Sequence, residues 1–340
     1  MRVGRSWVAP GGCGPSVGSA TMGALVVAWD LLFHFFFLLF FGGCMTKNSL
    51  AFSLAGALVL FLILGQSSKA QGPVLQRLEG LAAEVAITPD VVYGHKDGMA
   101  LTFDVFQPNE KPNGVGVLFM VSGGWVSAWT DPKNLTPLFS PLLKSGYTVI
   151  AVRHGSSPRY VVPECVADVQ LALTYIADKA SQWKIDKDRL GVFGFSAGGH
   201  LSLMLGTAGG FKQGDSPVAR VAAVVAVFPP TDLEPYVDMK SPRRQEFPAL
   251  RFDPAMAGAV SPLKLVTKDD APTLLVHGDK DELVPLWHSE KIDEAFQEAE
   301  VDSKLVVIQG AAHGFDAAGN ARLAKEMVEW FDSKLAPSKE

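Results

Sequence analysis

An α/β fold with a mostly parallel central sheet and helices on both faces is what the sequence predicts. Three observations carry it. Short, continuously apolar runs alternate with longer amphipathic ones along most of the chain. A pattern of alternating apolar and polar residues precedes them. The stretch Gly194-Phe195-Ser196-Ala197-Gly198 sits between an apolar strand and an apolar helix. Continuous apolar strands belong to sheets covered on both faces, and their alternation with helices belongs to parallel connections.

Taken in order, residues 90–95 and 99–106 alternate apolar and polar around Lys96-Asp97-Gly98, a turn signal, and predict a hairpin. Residues 115–121 read as a buried strand, followed by a helical stretch near 135–144 and a second buried strand at 147–153. Val166, Val169, Leu173, Ile176, Ala180 and Trp183 recur at helical spacing, and Pro163 with Glu164 marks where that helix begins. Residues 189–193 and 221–228 are further apolar strands, as are 272–277 and 304–309, and 321–335 is a closing amphipathic helix. Residues 229–262 break the alternation, being rich in proline and charge. That predicts a lid or substrate-recognition excursion, with a solvated insertion as the alternative. Its basic residues Lys240, Arg243, Arg244 and Arg251 admit an acidic glycan as ligand or, more simply, a wet surface.

Gly-x-Ser-x-Gly between strand and helix is the pattern of a nucleophile elbow, in which a strained turn lifts the serine hydroxyl above the sheet. A serine needs a base to take its proton and a carboxylate to orient that base. Downstream, the strand at 272–277 runs into an acidic loop holding Asp279 and Asp281. The strand at 304–309 ends in Gly310-Ala311-Ala312-His313-Gly314-Phe315. Acid and base thus each fall just past the C-terminal end of a strand, the edge where open α/β sheets place ligands. His200 is expected to pack beneath the elbow, His277 to brace a loop, and His95 and His288 to be peripheral. His154 and Trp129 are candidates to line the substrate site. No histidine pair has metal-ligand spacing and no cysteine cluster exists, so neither metal nor cofactor is expected.

These motifs resemble those of the α/β-hydrolases, in particular the esterase/lipase group of bacterial feruloyl- and acetyl-esterase-like proteins. The resemblance runs from about residue 90 to the C-terminus. It rests on Gly-Phe-Ser-Ala-Gly-Gly-His at 194–200, His-Gly-Asp-Lys-Asp-Glu-Leu-Val-Pro at 277–285 and Ala-His-Gly-Phe at 312–315. It implies an α/β-hydrolase fold with Ser196 as nucleophile, His313 as general base and acid, and Asp281 as orienting carboxylate, Asp279 being the rival. Ala197, Gly123, Gly124 and Trp125 then supply the oxyanion hole. The pattern departs from the family at Val121-Ser122, where His-Gly is usual ahead of Gly-Gly-Trp. The implied activity is hydrolysis of carboxylic esters, on small molecules or carbohydrates, through an acyl-enzyme. A prolyl-oligopeptidase-like peptidase and a non-catalytic binding protein are the alternatives.

The N-terminus reads separately from a catalytic domain at 71–340. Lys47, the apolar run 50–64 and Ser68-Lys69-Ala70 have the order of a signal peptide over 45–70, and therefore of an exported protein. The second apolar run at 25–41 makes residues 1–44 an over-extension of the reading frame, or else a membrane anchor that keeps the chain at the membrane. Cleavage after Ala70 leaves Cys165 without an intramolecular disulfide partner. A net charge of -5 gives no reason to expect nucleic acid as a partner.

Overall fold

Residues 85–207 and 219–336 are described in the computed structural model; the signal-peptide and reading-frame expectations for 1–70 lie outside them. Eight strands form one sheet among the described residues. They are β1 (Val85–Lys96), β2 (Met99–Pro108), β3 (Gly116–Met120), β4 (Thr148–Val152), β5 (Leu190–Phe195), β6 (Ala223–Val227), β7 (Thr273–Gly278) and β8 (Ser303–Ile308). Their order is β1-β2-β4-β3-β5-β6-β7-β8. The hairpin β1–β2 is antiparallel and joins β4 antiparallel, and every pairing from β4 to β8 is parallel.

The helices divide between the two faces. Leu118 and Met120 of β3 join one core cluster, which α2 (Val162–Lys179), α3 (Ala197–Gly206) and α7 (Trp287–Glu298) cover. Val117 and Phe119 join the other, under α1 (Thr136–Lys144) and α8 (Ala317–Lys334). The period-two alternation of strand side chains splits each apolar run between two cores, and so every residue of β3, β4 and β6 is buried. This is the predicted class, with α7 added and with shifts at the ends. The long helix ends at Lys179 and continues as a 3₁₀ turn, Ala180–Trp183, before Lys184 takes a left-handed conformation at φ 57°. The last helix starts earlier than read because Asp316 caps it, accepting the Gly319 amide at 2.8 Å.

The excursion 229–262 is folded into short helical pieces, among them α4 (Glu234–Val237) and α5 (Pro242–Glu246), ahead of α6 (Pro262–Leu265). Arg244 organises it by donating one guanidinium nitrogen to the carbonyls of Val237, Leu250 and Phe252 at 2.8, 2.8 and 2.9 Å. Arg251 likewise donates to the carbonyls of Arg244 and Gln245. Two of the four cations for which the sequence admits an acidic glycan or a wet surface are therefore spent on the excursion's own backbone.

Strand order reverses between β3 and β5, because the chain passes from β3 to β4 on one side and returns to β5 on the other. Crevices form at such switch points, beyond the strands' C-terminal ends.

Candidate active site

Ser196 follows β5 at that crevice with φ 53° and ψ −119°. A non-glycine residue held there costs about 1–3 kcal/mol, which the surrounding packing must sustain. Two glycines make the turn feasible. A Cβ on Gly194 would lie 2.4 Å from the backbone of Gly198, and one on Gly198 would lie 2.7 Å from the Met120 carbonyl. The strand, the turn and the start of α3 are thus too close for any side chain, the reason the motif spells Gly-x-Ser-x-Gly.

The hydroxyl of Ser196 lies 2.9 Å from His313 Nε2, and His313 Nδ1 lies 2.6 Å from Asp281 Oδ2. A carboxylate can only accept, so Nδ1 carries the proton and Nε2 presents its lone pair to the serine. Asp281 is fully buried, and its other oxygen accepts the amides of Leu283 and Val284 at 3.0 and 2.9 Å. Burial works to raise its pKa. Hydrogen bonds from His277 and His313, the charge of His313 and the Val284 amide outweigh burial and hold the carboxyl well below the usual carboxylate range. Asp279 instead accepts the Gly310 amide at 2.5 Å and so closes the loop beneath His313. His277 is a buried brace, joined to Ser289 Oγ and the Val284 carbonyl at 2.8 Å each. Phe228, unremarked in the sequence, packs its ring against His313 with centroids 4.5 Å apart.

The loop after β3 makes a tight turn in which Gly123 and Val126 exchange two backbone hydrogen bonds of 3.0 Å. Gly124 and Trp125 at its tip take φ 56° and 59°. Gly123, one of the oxyanion donors that the motif implies, is not available for that role, because its N–H donates to the Val126 carbonyl. Gly124 and Trp125 line the cleft with Ser196, while Ala197 begins α3 immediately beyond it. Trp125 is pinned through its indole, which donates to His200 Nδ1 at 3.3 Å. His200 Nε2 in turn donates to the Val260 carbonyl at 2.8 Å. His200, fully buried on α3, does lie under the elbow as read.

His154 and Trp129 are not where the sequence reading put them. His154 is buried behind the loop, bonded through Nδ1 to the Gly155 carbonyl and through Nε2 to Ser122 Oγ, at 2.9 Å each. It braces the cleft's wall from outside. Trp129 is 64 % exposed and does not line the cleft. His288, read as peripheral, is fully buried and bonded to Tyr236 of the excursion. The excursion supplies Pro230, Tyr236, Arg243, Phe247 and Leu250 to the cleft, and Leu283 and Val284 close it, around about 340 Å³ of empty space open to solvent.

Three buried histidines away from the triad give the fold an acid sensitivity. Burial lowers His154 and His200 to about 4, and burial with the nearby charge of His277 lowers His288 to about 3. Their unfolded pKa is about 6.5, so below that pH the unfolded chain binds protons that the native one refuses. Stability is then complete above about pH 6.5 and falls as pH drops toward 4, at about 1.4 kcal/mol per pH unit for each group. Guanidinium unfolding midpoints measured from pH 7.5 to 4.5 should decline steadily, and a flat profile would contradict the neutral assignments.

An elbow serine at the switch point of a mostly parallel sheet, with acid and base arriving on the two following strand ends, defines an α/β-hydrolase. Within that class the chain belongs to the BD-FAE family, whose model matches residues 103–296; a TAP-like protein model matches residues 255–340. Esterase LipQ of Mycobacterium tuberculosis is 27% identical over 254 residues, which cover 70% of this chain and 59% of LipQ. The chain therefore spans about three fifths of that relative's length. A truncated carbohydrate esterase from gut microbiota superposes with a TM-score of 0.62 at 25% identity, covering 74% of this chain and 97% of that one. Thermogutta terrifontis esterase 2, phosphorylated by paraoxon, shares the fold with a TM-score of 0.62 at 22% identity, over 75% of this chain and 96% of that one.

Proposed function

We propose that the protein hydrolyses carboxylic esters through an acyl-enzyme. The observation that carries this reading is the unbroken chain from Ser196 Oγ to His313 to the buried Asp281, at 2.9 and 2.6 Å. Ser196 Oγ attacks the ester carbonyl carbon while its proton passes to His313 Nε2. Asp281 holds the imidazole in the receiving tautomer and stabilises the imidazolium. The tetrahedral oxyanion takes hydrogen bonds from the amides of Ala197, Gly124 and Trp125, donors fixed before the charge develops. The imidazolium then gives its proton to the departing alkoxide as the C–O bond breaks, leaving an acyl-serine. Water, deprotonated by His313, attacks that acyl group, and the second collapse returns the acid and the free serine.

Small-molecule esters suit the modest cleft. Acyl esters on carbohydrates are the finer reading, supported by the carbohydrate esterase of like fold. One experiment addresses both: one sample of the full chain is treated with paraoxon and followed by intact mass, and an untreated sample is assayed on p-nitrophenyl acetate and on an acetylated xyloside. Stoichiometric labelling that disappears in Ser196→Ala, together with turnover of the nitrophenyl ester, is expected. A folded wild-type protein that neither labels nor turns over would leave a binding protein on a hydrolase scaffold. Turnover of the nitrophenyl ester without acetate release from the xyloside would remove only the carbohydrate reading.

A further inference from the structure

Two polar side chains interrupt the otherwise apolar wall that the excursion builds beside Ser196, namely Arg243 and Tyr236. Arg243 donates to Glu246 Oε2 at 2.8 Å and to the Glu282 carbonyl at 3.1 Å. Its charge is balanced at the rim, so this corner of the cleft offers a substrate carboxylate little net attraction.

Tyr236 is set up differently. The Thr231 amide donates to His288 Nδ1 at 3.1 Å. A backbone amide has only a hydrogen to give, so Nδ1 carries a lone pair. The buried ring is neutral, lowered to about 3, and its single proton therefore sits on Nε2. Nε2 lies 2.6 Å from the Tyr236 hydroxyl and donates to it. Having accepted that bond, the hydroxyl must turn its own hydrogen elsewhere, and among the described residues no acceptor receives it. Burial pushes the phenol up to about 12, so the hydrogen stays in place at every working pH.

We infer that Tyr236 determines specificity as a fixed hydrogen-bond donor to a neutral acceptor oxygen (ether, hydroxyl or carbonyl) carried by the acyl or alcohol part of the substrate, with His288 as its positioning residue. The inference rests on the ester-hydrolase reading of the site and adds a selection rule to it. An ester with an oxygen at the right place satisfies the phenol, whereas a hydrocarbon isostere leaves it unpaired once water is excluded.

Isosteric ester pairs read this directly. The acyl pair is p-nitrophenyl butyrate against p-nitrophenyl methoxyacetate, and the alcohol pair is n-pentyl acetate against 2-ethoxyethyl acetate. Each pair differs by one CH₂ exchanged for oxygen. Comparing wild type with Tyr236→Phe cancels the intrinsic reactivity of each ester. In at least one pair, Tyr236→Phe is expected to lower kcat/KM for the ether member about fivefold more than for the hydrocarbon member. His288→Asn, which keeps the phenol but removes its Nε2 partner, is expected to erode the same preference, with folding of both variants read by circular dichroism. If Tyr236→Phe scales both members of both pairs alike, the inference is overturned while the hydrolase reading stands. If the wild type turns over none of the four esters, the hydrolase reading fails and takes this inference with it.

Discussion

Asp281→Asn is expected to lower kcat about 10⁴-fold with KM little changed, and Ser196→Ala about 10⁶-fold, both measured on p-nitrophenyl acetate with the folded variants. The aspartate prediction is the more diagnostic because the two residues fail differently. Ser196→Ala deletes the attacking atom. Asp281→Asn keeps the shape of the site. The asparagine carbonyl can still accept the Leu283 and Val284 amides that Oδ1 now accepts at 3.0 and 2.9 Å. Its NH₂ then faces His313 Nδ1, where a carboxylate oxygen stands today at 2.6 Å. A donor there forces Nδ1 to accept, and the imidazole proton moves to Nε2, facing Ser196. The base has become a donor toward the group it must deprotonate, and the negative charge that stabilises the imidazolium is gone as well. A loss under about tenfold would move the orienting role to Asp279, the rival carboxylate.

Much of this site was legible because its parts obey local rules. The strands that carry Ser196 and Asp281 are buried on both faces, the edge strand ahead of His313 is partly buried, and all three read as apolar runs with the chemical residue in the loop that follows. What the sequence hid depends on contacts between distant segments. α7 escaped notice because its inner face includes His288 and Ser289 beside Ile292 and Phe296, which thins the apolar periodicity. His288 looked peripheral because its partner, Tyr236, is far away in the chain, inside a stretch whose short helices depend on Arg244 for assembly. His154 departs from the sequence expectation for a simpler reason. Its position just past β4 is right for a substrate contact, but the ring turns away from the cleft toward Ser122.

That contact bears on the departure at Val121-Ser122. The turn that presents Gly124 and Trp125 is held from three sides without a histidine in the motif. Ser122 is bonded to His154; Ser127 donates through Oγ to the Val121 carbonyl at 2.7 Å; and the Ser157 amide donates to the Trp125 carbonyl at 3.0 Å. His200 fixes the indole from below. The amides of the turn are backbone groups, so rigidity of the loop matters more than the identity of its first two residues.

Asp104→Ala is expected to cost about 3–5 kcal/mol of unfolding free energy, the largest stability effect of a single substitution in this network. Asp104 on β2 is fully buried, and its carboxylate takes both terminal nitrogens of Arg153, Nη2 at 2.9 Å. Arg153 also reaches Asp90 Oδ1 at 2.7 Å and Thr102 Oγ1 at 2.9 Å, and its carbonyl accepts the Tyr93 hydroxyl at 2.6 Å. This one side chain therefore ties the antiparallel hairpin to the parallel sheet, one residue before the His154 that braces the cleft. Removing Asp104 leaves a nearly buried guanidinium with only the exposed Asp90, still 2.7 Å away, and Thr102 as side-chain partners, so the desolvation cost of the cation is offset only in part. Replacing the pair together, Asp104→Leu with Arg153→Met, removes the charge along with its buried partner and should restore most of the stability, because the cost lies in the under-compensated cation more than in the lost attraction. Chemical denaturation of the two variants separates these terms. A loss below about 1 kcal/mol in Asp104→Ala would mean that Asp90 and Thr102 are able to satisfy Arg153 by themselves.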